Sequence, residues 1–98
     1  MPISLVLRAE SGGVVHRVET PYVPADASLS ERYPLLNGVC PYTDTIFNAR
    51  QMRQMLVEVD SLLRDELSTQ ERVSLESVAE LCREGQLGAH RYLWFVGD

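Results

Sequence analysis

The chain contains no lysine, and its nine basic residues, all arginine, stand against fourteen aspartates and glutamates. The formal net charge at pH 7 is −5. Because neutralising phosphates supplies most of a protein's affinity for nucleic acids, an acidic chain without a basic stripe argues against a nucleic-acid partner. Arginine suits bidentate pairing with carboxylates, but codon bias explains the missing lysines equally well.

Long apolar runs are also missing. No stretch reaches the roughly 18 apolar residues that a membrane-spanning helix needs, so no membrane association is predicted. The first residues, MPISLVLRAE, lack the basic region, long apolar segment and cleavage site of a signal peptide. We therefore expect a cytoplasmic protein, and an apolar content of 45% indicates one ordinary globular domain over residues 1–98.

Cysteine and histidine are scarce, with two residues of each. Cys40 and Cys82 are too few and too far apart for a disulfide framework, so buried free thiols are the simplest interpretation. Together with His16 and His90 they show no CxxC, HxxxH or HExxH spacing. The sequence therefore predicts no metal site and no cofactor.

The strongest periodic pattern covers residues 49–67 and predicts a long amphipathic helix. Apolar side chains recur there at steps of three and four residues, at Met52, Met55, Leu56, Val59, Leu62 and Leu63. Four charged side chains are predicted to point away from this face: Arg53, Glu58, Asp60 and Arg64. Asn48 and Gln51 have the spacing of a capping box, which places the start of the helix at residue 49.

Alternating patterns predict strands near both ends of the chain. Residues 3–8 and 14–19 alternate in polarity on either side of the turn sequence SGG, which is typical of a hairpin. His16 is interpreted as a partly covered strand residue. The apolar run YLWFV at residues 92–96 predicts a third strand, covered on both faces.

The segment between hairpin and helix, residues 20–41, is rich in proline and is predicted to be extended, with at most one helical turn between Ser28 and Tyr33. Its aromatic and leucine side chains indicate that it wraps the core.

A second helix is predicted after residue 68. Ser68 and Glu71 have capping-box spacing, and Gly85 suits a C-terminal cap. The short link predicts an antiparallel helical hairpin. The whole pattern is β-β-loop-α-α-β, an α+β fold in which a three-stranded, mainly antiparallel sheet is packed by the helical hairpin.

Candidate catalytic groups are few. Cys40, Asp44 and His90 are the set from which a thiol nucleophile, an orienting acid and a base can be drawn. Because residues of these types occur in most chains of this length by chance, we assign no catalytic residue.

Two segments are candidate partner-binding surfaces. Glu76, Glu80 and Glu84 recur every four residues on the second helix, as a solvated face or a docking surface for a basic protein. The segment 42–48 has a structural explanation, a turn and helix cap with Ile46 and Phe47 inserted in the core. Its functional alternative exposes Tyr42 and Asp44 for contact.

The runs RYPLLNGVCPYTDTIFNARQM and HRYLWFVGD resemble a group of small bacterial proteins. Those proteins share a P-Y-x-D-T-x-F-N segment before a helix and end in an aromatic strand followed by Gly-Asp. The resemblance implies a compact single domain and no catalytic residues. By size and charge the chain is also similar to immunity proteins, which bind and block a toxin.

Three functions are consistent with the sequence. The first is a small inhibitor, most plausibly an immunity protein, that occludes the active surface of a basic toxin, with acidic residues steering the encounter. The second is a small enzyme or ligand-binding domain with a pocket between residues 20–41 and the helices. The third is a regulatory subunit that forms a homodimer through an exposed sheet edge, so that both a monomer and a homodimer remain open.

Overall fold

The computed structural model describes residues 3–97. Its elements, in chain order, are β1 Ser4–Ala9, β2 Val14–Arg17, α1 Pro34–Asn37, β3 Thr45–Phe47, α2 Ala49–Leu62, α3 Thr69–Gly85 and β4 Arg91–Val96. The α+β class is confirmed. Asp98, the end of the Gly-Asp pair, lies outside the described residues.

The four strands form one antiparallel sheet in the order β2-β1-β4-β3. The prediction of three strands was therefore one strand short. The additional strand, β3, lies in the segment predicted to be only a turn and helix cap. Its three residues are too few to show a period of two in the sequence. They become a strand because Ile46 and Phe47 pair with Trp94 and Leu93 of β4.

One face of the sheet packs on the helices. Leu5, Leu7, Leu93 and Phe95 of the two central strands point to that side and are fully buried. The ring of Phe95 meets Tyr22 edge-on, with ring centroids 5.1 Å apart. The core therefore lies between the central strands, the helical hairpin and the segment that precedes α1.

The other face of the sheet carries no helix among residues 3–97, so the prediction that β4 is covered on both faces was wrong. Leu93 and Phe95 are buried, whereas Tyr92 and Trp94, which alternate with them, are only half-buried. Ile46 was also expected in the core but is 46% exposed, because it is paired with Trp94 on the uncovered face.

Helix α2 begins as predicted and ends earlier. Asn48 and Gln51 form the expected capping box, with both hydrogen bonds at 2.9 Å. The helix stops at Leu62 instead of residue 67. Beyond its end, the Arg72 guanidinium donates to the carbonyl oxygens of Leu63 at 3.1 Å and Asp65 at 3.3 Å. A side chain from α3 thus satisfies carbonyls that have no partner beyond the helix end.

Helix α3 runs antiparallel to α2, as predicted. Its Ser68–Glu71 capping box is present. Gly85 does not close the helix in a left-handed conformation: it is the last helical residue and lies against Met52 of α2. A Cβ atom at Gly85 would sit 2.6 Å from the Met52 sulfur, so glycine permits the close approach of the two helices.

Residues 20–41 wrap the core, as expected. Tyr22, Ala25, Tyr33 and Leu36 are buried in it. Between residues 28 and 33 there is no helix, but one hydrogen-bonded turn forms, in which the Tyr33 N–H donates to the Ser30 carbonyl oxygen at 3.0 Å; a 3₁₀ turn at Asp26–Ser28 and helix α1 lie on either side of it. None of the helices within residues 3–97 has both the length and the apolar content that a bilayer crossing requires.

Candidate functional site

Cys40, Asp44 and His90 do not form a catalytic cluster. The Cys40 carbonyl oxygen lies next to Gly97, 2.9 Å from the position a Cβ atom would occupy there, so Cys40 is at the end of β4. His90 directly precedes the start of the same strand, and its Nδ1 is 3.7 Å from a carboxylate oxygen of Glu10. Because six extended residues span about 20 Å, the thiol and the imidazole lie at opposite ends of the sheet.

The two thiols have contrasting environments. Cys82 is buried in the core, as expected, and this burial raises its pKa to about 12. Cys40 is half-exposed, so the expectation of two buried thiols was wrong for this residue. Hydrogen bonds from the Thr43 hydroxyl and from the backbone of Tyr42 and Thr43 lower the pKa of the Cys40 thiol.

The acidic row on α3 divides into two parts. Glu76 and Glu80 are exposed, as a docking surface requires. Glu84 is half-buried, and its carboxylate oxygen lies 2.6 Å from Nδ1 of His16 on β2. Glu84 therefore ties the helix to the edge of the sheet. No group of three or more His, Cys, Asp and Glu side chains within residues 3–97 is arranged to hold a metal ion.

The segment before β3 exposes the two residues proposed for contact. Tyr42 is 68% exposed and Asp44 is exposed as well. The turn itself is held by Thr45, whose hydroxyl accepts a hydrogen bond from the Cys40 backbone N–H at 3.2 Å. Tyr42 and Asp44 are thus available to a partner, while Thr45 and the Asn48 cap hold the turn.

A further surface, which the sequence did not reveal, is the uncovered face of the sheet. The register places Ile46, Trp94, Val6 and Arg17 in one row across all four strands, with Tyr92 and Arg8 beside that row. We call the surface formed by these six residues the open sheet face. The alternation of Tyr92 and Trp94 with Leu93 and Phe95 was the available sequence signal. It was hidden because all four residues are apolar.

The open sheet face is ordered around Trp94 and Arg8. The Arg8 guanidinium carbon lies 5.1 Å from the centre of the Trp94 ring, a cation–π contact. One guanidinium nitrogen of Arg8 also donates to the Gly12 carbonyl oxygen at 2.9 Å. Val6 is fully buried although no helix covers it, because it lies between Trp94 and Arg17 on the flanking strands.

A shallow groove lies between residues 20–23 and the first turns of α3, with a volume of about 320 Å³. It is lined by Thr20, Pro21, Val23, Thr69, Gln70, Val73 and Ser74. Its position matches the pocket expected beside residues 20–41. None of the lining side chains is an acid, a base or a thiol, so the groove offers hydrogen bonds and apolar contact but no acid–base pair.

No protein-family model, curated protein or solved structure matches the chain. Function therefore has to be inferred from the surfaces and cavities of the molecule itself. The open sheet face has the largest concentration of aromatic side chains among them.

Proposed function

We propose that the protein is a small binding protein that recognises another protein and occludes its active surface, in the manner of an immunity protein. The observation that carries this proposal is the open sheet face. Ile46, Tyr92 and Trp94 lie there without a covering layer, on strands that are fixed by the sheet.

The chemistry of this face favours a protein partner. Tryptophan, tyrosine and arginine are the residues that most often dominate the binding energy of protein interfaces. Here Tyr92, Trp94, Arg8 and Arg17 occupy neighbouring positions on one face of the sheet. Because the sheet fixes the backbone of these strands and Arg8 is in contact with Trp94, part of the conformational freedom that binding would remove is already lost.

Two further groups of exposed residues are candidate contacts: Tyr42 and Asp44 before β3, and Glu76 and Glu80 on α3. The carboxylates of Asp44, Glu76 and Glu80 favour a basic toxin as the partner, since acidic side chains raise the rate of encounter with a basic surface. Glu84 contributes less to it, because its carboxylate is already paired with His16.

The homodimer alternative receives less support from the sheet edges. The edge strands β2 and β3 have only four and three residues, and β2 pairs with β1 through an irregular register. Short and irregular edges offer few backbone groups to a second chain. The groove beside Val73 keeps a ligand-binding role as the second candidate function, because its size suits a small molecule.

The decisive experiment is an affinity pull-down from the native cell followed by mass spectrometry, with growth rescue by co-expression as the functional readout. The variant Ile46→Ser alters the open sheet face at an exposed edge position. Leu87→Ser is the matched control, because Leu87 is 81% exposed and lies in the turn after α3. The double variant Glu76→Gln/Glu80→Gln tests the acidic surface.

We expect one protein to be captured by the wild type and by Leu87→Ser but not by Ile46→Ser, with all variants melting cooperatively. That protein should inhibit growth when expressed alone and lose its toxicity in the presence of the wild-type chain. Loss of capture in Glu76→Gln/Glu80→Gln, with capture retained in Ile46→Ser, would show that the interface lies on α3 and not on the open sheet face. Capture of no protein would refute the binding function.

A further inference from the structure

The strands carry a net positive charge, whereas the chain as a whole carries a net negative one. None of the fourteen acidic residues lies in β1, β2, β3 or β4, although the chain has a net charge of −5. The open sheet face carries Arg8 and Arg17 and no carboxylate. The strand residues of this face therefore carry only positive charge, and the nearest carboxylates along residues 3–97, those of Glu10, Glu19 and Asp44, lie beyond the strand ends.

From this reversal we infer that the open sheet face binds an acidic segment of a protein partner, whose carboxylates pair with Arg8 and Arg17 while its apolar side chains contact Ile46 and Trp94. The inference rests on the proposed binding function and specifies the chemistry of the partner. It is opposite in sign to the basic partner that the net charge favours.

Arg8 is prepared for such a carboxylate. Its contact with Trp94 and its hydrogen bond to Gly12 hold the guanidinium in one orientation. A planar guanidinium that is already oriented loses less freedom when it binds a carboxylate than a mobile side chain does.

Arg17 lies two strands away from Trp94 in the same row, with Val6 between them. An extended segment that crosses the strands thus meets the Arg17 charge, passes over the buried Val6, and then reaches the Trp94 indole ring and Ile46. Neighbouring strands are about 4.8 Å apart, so this row spans about 14 Å, which is the length of four or five extended residues.

Charge also argues against a second copy of the chain as the occupant. A symmetric pairing of two open sheet faces would bring the arginines of both copies into one interface. Like charges in contact oppose association unless acidic groups separate them, and this face supplies none.

The test uses the whole protein and three fluorescein-labelled peptides of eight residues, in which leucine alternates with glutamate, glutamine or lysine. Binding is measured by fluorescence anisotropy at low and high salt. The variant Arg17→Gln probes the face without altering the Arg8–Trp94 contact, and Arg8→Gln/Arg17→Gln removes both charges. Arg50→Gln/Arg53→Gln removes two exposed charges from α2 and is the matched control.

We expect the glutamate peptide to bind most tightly, with an affinity that falls about tenfold in Arg8→Gln/Arg17→Gln and changes little in Arg50→Gln/Arg53→Gln. Equal or tighter binding of the lysine peptide would overturn the inference. So would retained glutamate-peptide affinity in both arginine variants, and so would binding of none of the three peptides.

Two further measurements separate the sources of failure. Sedimentation of the protein with phosphatidylglycerol vesicles that depends on Arg8 and Arg17, without glutamate-peptide binding, would assign the face to an anionic membrane instead. If the cellular partner is lost in Ile46→Ser but retained in Arg8→Gln/Arg17→Gln, the acidic-segment inference fails while the proposed binding function stands.

Discussion

The carboxylate of Glu58 in α2 accepts a hydrogen bond from the backbone N–H of Leu36 at 3.1 Å, across a separation of 22 residues. The same carboxylate also accepts from the backbone N–H of Leu35 at 3.2 Å. Glu58 is only 3% exposed, although its spacing predicted a solvent-facing position. It holds the first turn of α1, and with it the wrapping segment, against the helical hairpin.

Glu58→Gln should lower the free energy of unfolding by about 1–3 kcal/mol, because the amide turns a donor toward backbone groups that need an acceptor. Urea denaturation measures this change. Asp60→Asn is the matched control: Asp60 lies on the same helix, is paired with Arg64 at 2.9 Å and is 69% exposed, so little change is expected. Equal effects of the two substitutions would contradict the anchoring role of Glu58.

Gly97→Ala should destabilise the protein by about 1–3 kcal/mol through overpacking. A Cβ atom at this position would lie 2.6 Å from the Thr43 nitrogen and 2.9 Å from the Cys40 oxygen, and backbone atoms cannot rotate away as a side chain can. Thermal unfolding should show the loss. Gly13→Ala, where the nearest atom is 3.7 Å away, is the control and should melt near the wild type.

Asn48→Ala should lower the free energy of unfolding by about 0.5–2 kcal/mol, because it removes the side chain that caps α2. Asp44→Ala should leave stability unchanged, since Asp44 is exposed and lies outside the capping box. Denaturant titration of both variants distinguishes a structural role of this segment from a contact role. A loss of stability in Asp44→Ala would show that Asp44 has a structural role in the turn and not a role in partner contact.

Stability should decline in alkaline solution because two buried groups resist ionisation. Burial raises the pKa of Tyr22 from 10.0 to about 12 and that of Cys82 from 9.0 to about 12. The folded state thus holds both protons more tightly than the unfolded state, so the contribution of these two groups to stability is constant below about pH 9 and falls as the pH rises toward 12. Each group contributes up to about 1.4 kcal/mol per pH unit within its own interval.

Denaturation curves between pH 8 and 12 test this dependence. The double variant Tyr22→Phe/Cys82→Ala should show a shallower decline than the wild type. Tyr22→Phe alone should preserve or raise stability at neutral pH, because its hydroxyl is buried and makes no hydrogen bond of normal geometry within residues 3–97, although the Ser28 side chain lies close enough to oppose part of the rise in its pKa. Parallel curves for the wild type and the double variant would contradict the assignment.

Cys40 should react with a disulfide reagent in the folded protein, while Cys82 should react only after unfolding. The lowered pKa of the half-exposed Cys40 thiol implies that its labelling rate reaches a plateau at a lower pH than that of an ordinary thiol. In a Cys82→Ala background, Thr43→Val should move the midpoint of this pH profile upward by removing the hydroxyl hydrogen bond. If the midpoint of the pH profile is the same with and without Thr43→Val, the Thr43 hydroxyl does not stabilise the thiolate.

The features that were predicted correctly depend on nearby residues. Both capping boxes join side chains and backbone groups three residues apart. The β1–β2 hairpin is indicated by alternation on both sides of a short turn, and the helical hairpin by two periodic segments with a short link. Such interactions are written in consecutive residues and need no knowledge of the rest of the fold.

The features that were missed depend on pairings between distant parts of the chain. Thr45–Phe47 is a strand only because β4 lies beside it, and the carbonyl group of Leu63 just beyond α2 finds its partner in Arg72, nine residues further along the chain. In the sequence Glu58 matches a solvent-facing helix position, and only the fold brings the backbone N–H groups of Leu35 and Leu36 to its carboxylate. The open sheet face likewise exists only once the register aligns Ile46, Trp94 and Arg17, because side-chain alternation cannot say which of two apolar faces the helices will cover.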